Sequence, residues 1–345
     1  MRHRHSTSRL FDRVRSPCYG SHPFARRRPL SARATPAVSL ALRTLPHVQP
    51  SRARAAAERT RIVLAVEAVG HLVPPSELAG RVHSTFAHAC NIEYGSTLIT
   101  LVAAAAGNGP TLLRLRVGGA PDLRRCFDDG EPIRCRGGIA IGERATLDLT
   151  QAAVWHPAPA GTIAPGATLA ARLRHAAAML AYRRDGRCSV IDGDAAPTVS
   201  ELAAACRALD TARAAQATAR LIGWGEGLTP AGDDVVIGLC AGLDAMACGD
   251  PRRTALRRAV ASTIGASLSR TTRISAHYLR LAAIGHYNER LLDLRSALLH
   301  VDPSRPLDEA LRSACALGAT SGSDMIAGLL AALRAWSPAP IEAVV

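Results

Sequence analysis

The chain has 345 residues, 48% of them hydrophobic, and a formal net charge of +14, which gives enough length and apolar content for a sizeable core in two domains. Residues 1–61 carry 14 Arg against Asp12 and Glu58, a balance of +12 that leaves +2 for residues 62–345. A nearly neutral body, with no aromatic platform beside the basic stretch, excludes a nucleic-acid binder, and no apolar run is long enough to span a membrane.

Lys is absent, so all 42 basic residues are Arg; with the heavy use of Ala this reflects a G+C-rich coding sequence more than selection for phosphate contacts. Residues 1–61 lack the apolar centre of a secretory signal and are expected to be a flexible tail or the product of a start codon placed too far upstream, rather than a transit peptide. Nine cysteines, an odd number with no C-x-x-C pair, argue against a zinc site and for reduced, mostly buried thiols in a cytoplasmic protein.

Residues 62–160 read as a β-rich domain. Residues 62–69 form a strand or a leading helix. Short β-like segments follow at 81–86, 96–102, 111–117, 133–136, 139–141 and 145–150, separated by Gly, Pro, Asn or Asp clusters. The partial alternation of 111–117 suits a strand with one wet face, and the expected arrangement is an antiparallel sheet. The Pro/Gly-rich stretch 157–166 changes the period. Residues 161–337 read as a helical domain, with helices at 167–184, 198–222, 233–247, 252–268, 274–284, 289–299, 307–317 and 324–336. Pro303 and Pro306 mark a turn, Pro338 follows the last helix, and 338–345 is a tail. The predicted fold class is α+β, an antiparallel β-rich domain followed by an all-helical one.

The sequence GWGEGLTPAGDD (223–234) precedes one helix. Gly225, Gly227 and Gly232 allow backbone N–H groups to turn inward, Thr229 adds a hydroxyl, and the helix start favours an anion. A second copy lies ninety positions on. PAGDDVVIGLCAGL (230–243) aligns with TSGSDMIAGLLAAL (320–333), pairing Asp234 with Asp324 and Gly238 with Gly328, and bringing Ser321 to the second helix start. Asp and Gly four apart share a helix face, so each unit offers a carboxylate beside a notch for close approach. Two such carboxylates about 4 Å apart repel by about 4 kcal/mol at an effective dielectric near 20, and need an Arg, a shared proton or a magnesium ion. Asp233 reads equally as a helix cap.

SRTTRIS (269–275) sets Thr271, Thr272, Arg273 and Ser275 before another helix. Guanidinium forks suit phosphate oxygens and the hydroxyls suit a polarised carbonyl, while the bland reading is a capped helix with solvated arginines. His277 suits proton transfer, or is a surface helix His. His83 and Asn91 flank a β segment, where His83 suits a substrate carboxylate or amide, or a satisfied structural role. No cysteine has a basic partner in its own segment that would activate it.

GRVHSTFAHACN (80–91), GEGLTPAGDD (225–234), TTRIS (271–275) and GATSGSD (318–324) with Gly328 resemble the AllH-type family over roughly residues 62–337. The resemblance implies a subunit of a bacterial oxamate carbamoyltransferase system in allantoin- or purine-type nitrogen catabolism. Such a system moves a carbamoyl group between phosphate and oxamate, giving oxalurate one way and carbamoyl phosphate the other, alongside FdrA-like and AllG-like subunits. The site roles come from the residues themselves: Asp234, Asp324 and His277 as catalytic candidates, and Gly225, Gly227, Thr229, Gly232, Asp233, Thr271, Thr272, Arg273, Ser275, His83, Asn91 and Ser321 as substrate contacts. Two further readings stay open. One is a non-catalytic anion-binding or scaffold subunit. The other, from GSD (322–324) with Gly328, is a magnesium-dependent hydrolase similar to the ADP-ribosylglycohydrolases, whose acidic cluster near the chain start is missing here.

Overall fold

Leu64, Val66 and Ala68 alternate along the first strand and turn into one interior, and this pattern, repeated, builds the N-terminal part. The computed structural model describes residues 61–337 other than 75–78, 117–120, 160, 165, 183–192 and 248. Both predicted tails (apart from Arg61), the end of the helix expected at 167–184, and Cys18, Cys188 and Cys248 lie outside the described residues. The strands are β1 (Ile62–Gly70), β2 (Ala79–Thr85), β3 (Ala89–Tyr94), β4 (Thr97–Val102), β5 (Leu112–Leu115), β6 (Pro132–Arg136), β7 (Ile139–Ile141), β8 (Ala145–Asp148) and β9 (Ala153–Trp155). They run in the order β5-β4-β3-β2-β6-β7-β8-β1-β9, and β1 also pairs with β5, which closes the sheet into a barrel-like form. Pairing is mainly antiparallel, as predicted; β1–β8, β1–β9 and β4–β5 are parallel. Ile92, Ile99, Leu101, Leu113, Ile133 and Leu147 fill the interior with Phe127.

Two strands were not foreseen. In β3, Asn91 and Glu93 interrupt the apolar pattern, and β9 has only three residues. In β4 the run Leu98–Val102 is buried without alternation because its outer face lies against the helical part.

The helices are α1 (Gly166–Tyr182), α2 (Ala196–Ala208), α3 (Thr211–Leu221), α4 (Ala231–Met246), α5 (Pro251–Ser267), α6 (Arg273–Ala283), α7 (Glu289–Leu299), α8 (Leu307–Cys315) and α9 (Ser321–Trp336). The structure therefore confirms an α+β chain, β first and helices second. It corrects one element: the helix expected over 198–222 is two. Leu209 closes α2 in the left-handed region at φ 56°, and Asp210 caps α3 by accepting the Arg213 N–H at 3.0 Å.

α4 and α9 are apolar nearly all round and form the centre of the helical core. They run side by side in the same direction, backbone against backbone. A Cβ on Gly238 would lie 1.8 Å from the Met325 carbonyl oxygen, and one on Gly328 would lie 1.9 Å from that of Val235. The repeat extends to the helix starts, where Gly232 seats on the Leu221 carbonyl at the end of α3 and Gly322 on the Ala314 carbonyl in α8. The ninety-residue repeat is thus a pseudo-symmetric helix pair with its two N-termini side by side.

Barrel and helices join through several polar contacts. Asn108 donates its N–H to Glu289 at 2.9 Å, Arg273 pairs with Glu93, and Arg290 donates to the Ala105 carbonyl. Among the described residues no helix is long and apolar enough to cross a membrane, and the six described cysteines are free, four of them buried.

Candidate functional site

Asp233 and Asp234 enter α4 in its first turn, fully buried, and face different neighbours. Asp233 accepts the Gly223 N–H at 2.8 Å, the Ser275 hydroxyl at 2.6 Å and the Thr271 hydroxyl. It does not cap its own helix; it ties the glycine loop to the segment that opens α6. Thr272 completes the tie, donating to the Leu228 carbonyl at 2.5 Å and capping α6 by accepting the Ser275 N–H at 3.1 Å. The glycines of the loop mostly serve close approach. Gly223 sits against the Arg270 carbonyl and Gly225 against the Ala231 nitrogen, while the Gly232 N–H is bonded to the Trp224 carbonyl.

Asp234 faces α9. Neither of its oxygens completes a hydrogen bond of full geometry; the polar groups acting on it are the Ser321 and Thr229 hydroxyls. Burial raises its pKa to about 7, the Ser321 and Thr229 hydroxyls draw it down, and the charges of Asp324 and Asp233 raise it further. Asp324, equally buried, occupies the matching position in α9. Thr229 and Ser321 meet at 2.9 Å, bridging the two helix starts, and both line a cavity of about 270 Å³. Thr111 and Leu112 of the barrel, Tyr278 of α6 and His286 and Asn288 of the α6–α7 loop complete much of its wall. A carboxyl that titrates near neutrality therefore stands behind two hydroxyls that open on a chamber between barrel and helices.

A second polar chain reaches this chamber from the barrel. His83 on β2 meets the Ser84 hydroxyl at 3.0 Å, and the Asn91 amide on β3 donates to that same hydroxyl at 3.0 Å. Thr100 on β4 donates to the Asn91 carbonyl oxygen at 2.8 Å and meets the Tyr278 hydroxyl at 3.5 Å. The Tyr278 pKa is raised by burial and by the Asp234 charge. The polar chain from His83 and Asn91 therefore ends at Tyr278, which lines the chamber together with Thr229.

His277 is buried at the joint between the two parts. Its Nδ1 accepts the Leu98 N–H at 3.3 Å, which leaves the proton of the neutral ring on Nε2, 3.0 Å from the Thr111 hydroxyl. Burial lowers its pKa to about 4, with Arg280 and Arg273 adding to the effect. Both ring nitrogens are engaged by the protein. Arg273 turns away from the aspartates, pairing with Glu93 and lining a separate cavity, and Arg270 donates to the Ala219 carbonyl at 2.5 Å. Both guanidiniums are therefore engaged elsewhere than at Asp234. Among the described residues, no group of three or more His, Cys, Asp or Glu is arranged to hold a metal.

Residues 221–333 match the family described as oxamate carbamoyltransferase subunit AllH, and residues 62–154 match the AllH family N-terminal domain. The chain belongs to the AllH family. Comparison with curated proteins and with solved structures returned no match.

The two AllH segments correspond to the barrel and to most of the helical part, and the chamber lies between them. Of the residues singled out in the sequence, the structure gathers Thr229, Asp234, Ser321 and Asp324 at the paired helix starts. Asp233, Thr271, Thr272 and Ser275 form the clasp behind them. His83 and Asn91 connect through Thr100. Gly225 and Gly227 lie on the exposed rim of the loop, and Arg273 and His277 line the second cavity. Sequence reasoning missed Thr100 and Tyr278. The one available signal was Thr100, a polar residue inside the otherwise apolar run Leu98–Val102.

Proposed function

We propose that this AllH-family chain is a subunit of a cytoplasmic oxamate carbamoyltransferase-like complex, working with FdrA-like and AllG-like partners, and that the chamber between barrel and helices takes part in the transfer. The supporting observation is Asp234, whose pKa is raised to about 7 behind the Thr229–Ser321 hydroxyl pair that lines the chamber. In phosphorolysis of oxalurate, a phosphate oxygen bonds to the carbamoyl carbon while the bond from that carbon to the oxamate nitrogen breaks. Hydrogen phosphate gives up one proton on attack, and the departing nitrogen gains one. A single carboxyl with a pKa near neutrality serves both steps, taking the first proton and returning it, with Ser321 or Thr229 as the bridge to substrate. Asp324 holds the Asp234 pKa up by its charge. The wall of the chamber includes no Arg among the described residues, so compensation for the substrate's negative charge falls to a partner subunit or to a magnesium ion held with phosphate.

Reconstituting the three subunits with and without this chain tests the proposal. Phosphate-dependent cleavage of oxalurate is expected from the full set and from no set lacking this chain. Full activity of the partners alone would make it a scaffold.

A further inference from the structure

A second cavity, about 330 Å³ in volume, opens between the β3–β4 turn of the barrel and the start of α6. His277 stands in its wall, and Thr111, its hydrogen-bond partner, lines the chamber described above. The lining carries two guanidiniums, Arg273 and Arg280, and no acid. Arg273 is paired with Glu93, so the unpaired positive charge of the lining is that of Arg280. Arg280 makes no ion pair or hydrogen bond with any described residue, and neither do the side chains of Ser96 and Ser269, which line the same cavity. His277 adds no charge near neutral pH, because burial holds its pKa at about 4 and both ring nitrogens are already bonded. The net field in the cavity is positive, and its free donors are one guanidinium and two hydroxyls.

We propose that this cavity is a binding site for a tetrahedral oxyanion of the phosphate class, held by Arg280 with Ser269 and Ser96 and supported by Arg273. A guanidinium fork beside hydroxyl donors matches the geometry and charge of such an anion, and charge-assisted bonds of this kind are the stronger ones. The site is linked to the chamber by one hydrogen bond and one step along the chain. Thr271 lines the cavity and donates to Asp233, the neighbour of Asp234. The inference stands apart from the transfer reaction, since it concerns binding of a simple anion by the chain itself.

The test is calorimetric titration of the full chain with inorganic phosphate at fixed ionic strength, with chloride as the balancing anion so that screening stays constant. Saturable binding is expected, weakened roughly tenfold or more in Arg280→Ala and severalfold in Ser269→Ala, with Arg280→Lys between parent and Ala. The titration uses the chain alone, without oxalurate or partner subunits, which separates this result from the fate of the proposed reaction. Sulfate should compete, and acetate at the same concentration should not. No saturable binding by the parent, unchanged affinity in both the Arg280→Ala and Ser269→Ala chains, or equal competition by acetate would each overturn the assignment.

Discussion

Asp234 shows how burial, more than residue type, sets a carboxyl's properties. Its pKa is raised to about 7 from an ordinary 3.8, so between those values the folded chain holds a proton that the unfolded chain has released. This contribution to stability is complete below about pH 4 and is lost as pH rises through 7, a range on the order of 4 kcal/mol by linkage. His277 works in the opposite sense below pH 6.5, because its folded pKa is depressed to about 4. The parent's own pH profile therefore mixes the two, and the informative quantity is the difference between Asp234→Asn and parent. Denaturant titrations across pH 4–8 are expected to show the variant gaining on the parent steadily as pH rises, with a plateau above about pH 8. A constant difference would mean that Asp234 stays ionised in the fold. Asp233, one residue earlier, was legible as a helix cap or a substrate contact, and the structure shows it instead tying the glycine loop to the start of α6. The donors that define it lie 10, 38 and 42 positions away, beyond any local pattern.

At the level of elements, the ninety-residue repeat carried the most structural information. Asp followed by Gly four residues later, twice, announced two helices with a carboxylate and a notch on one face, and α4 and α9 use both notches against each other's backbone. Gly238→Ala or Gly328→Ala drives a methyl into a carbonyl that has no room to retreat, and each is expected to cost at least about 3 kcal/mol or prevent folding. Gly227→Ala is the contrast. Open space surrounds that position, but its φ of +93° disfavours a side chain, so a cost of about 1–2 kcal/mol with the fold retained is expected. Thermal melts of the three variants rank these effects; equal melts for Gly238→Ala and Gly227→Ala would deny the close approach. What the pattern hid was equally physical. The α2–α3 break uses Leu209 in a left-handed conformation where a glycine would have marked it, and β3 carries Asn91 and Glu93 where an apolar alternation was sought.

For the molecule as a whole, composition separated residues 1–61 from a nearly neutral body, and both family matches fall within 62–333. A chain beginning at Arg61 is expected to melt within about 2 kcal/mol of the full chain's stability; a larger loss would make the earlier residues part of the core. The chamber itself was not legible, because barrel and helices meet through single residues scattered over the chain, such as Thr111, Tyr278 and Asn288. The most direct test of the assignment of Asp234 is the turnover of the reconstituted complex on oxalurate and phosphate with Asp234→Asn in place of the parent chain. Asparagine keeps the shape of the side chain and removes the proton that the carboxyl exchanges. A fall in kcat of roughly a hundredfold or more, with the complex assembled and the chain at least as stable as the parent, is expected for a general acid–base group. Parental turnover in the variant would contradict it, and would leave the paired aspartates as a feature of helix packing alone.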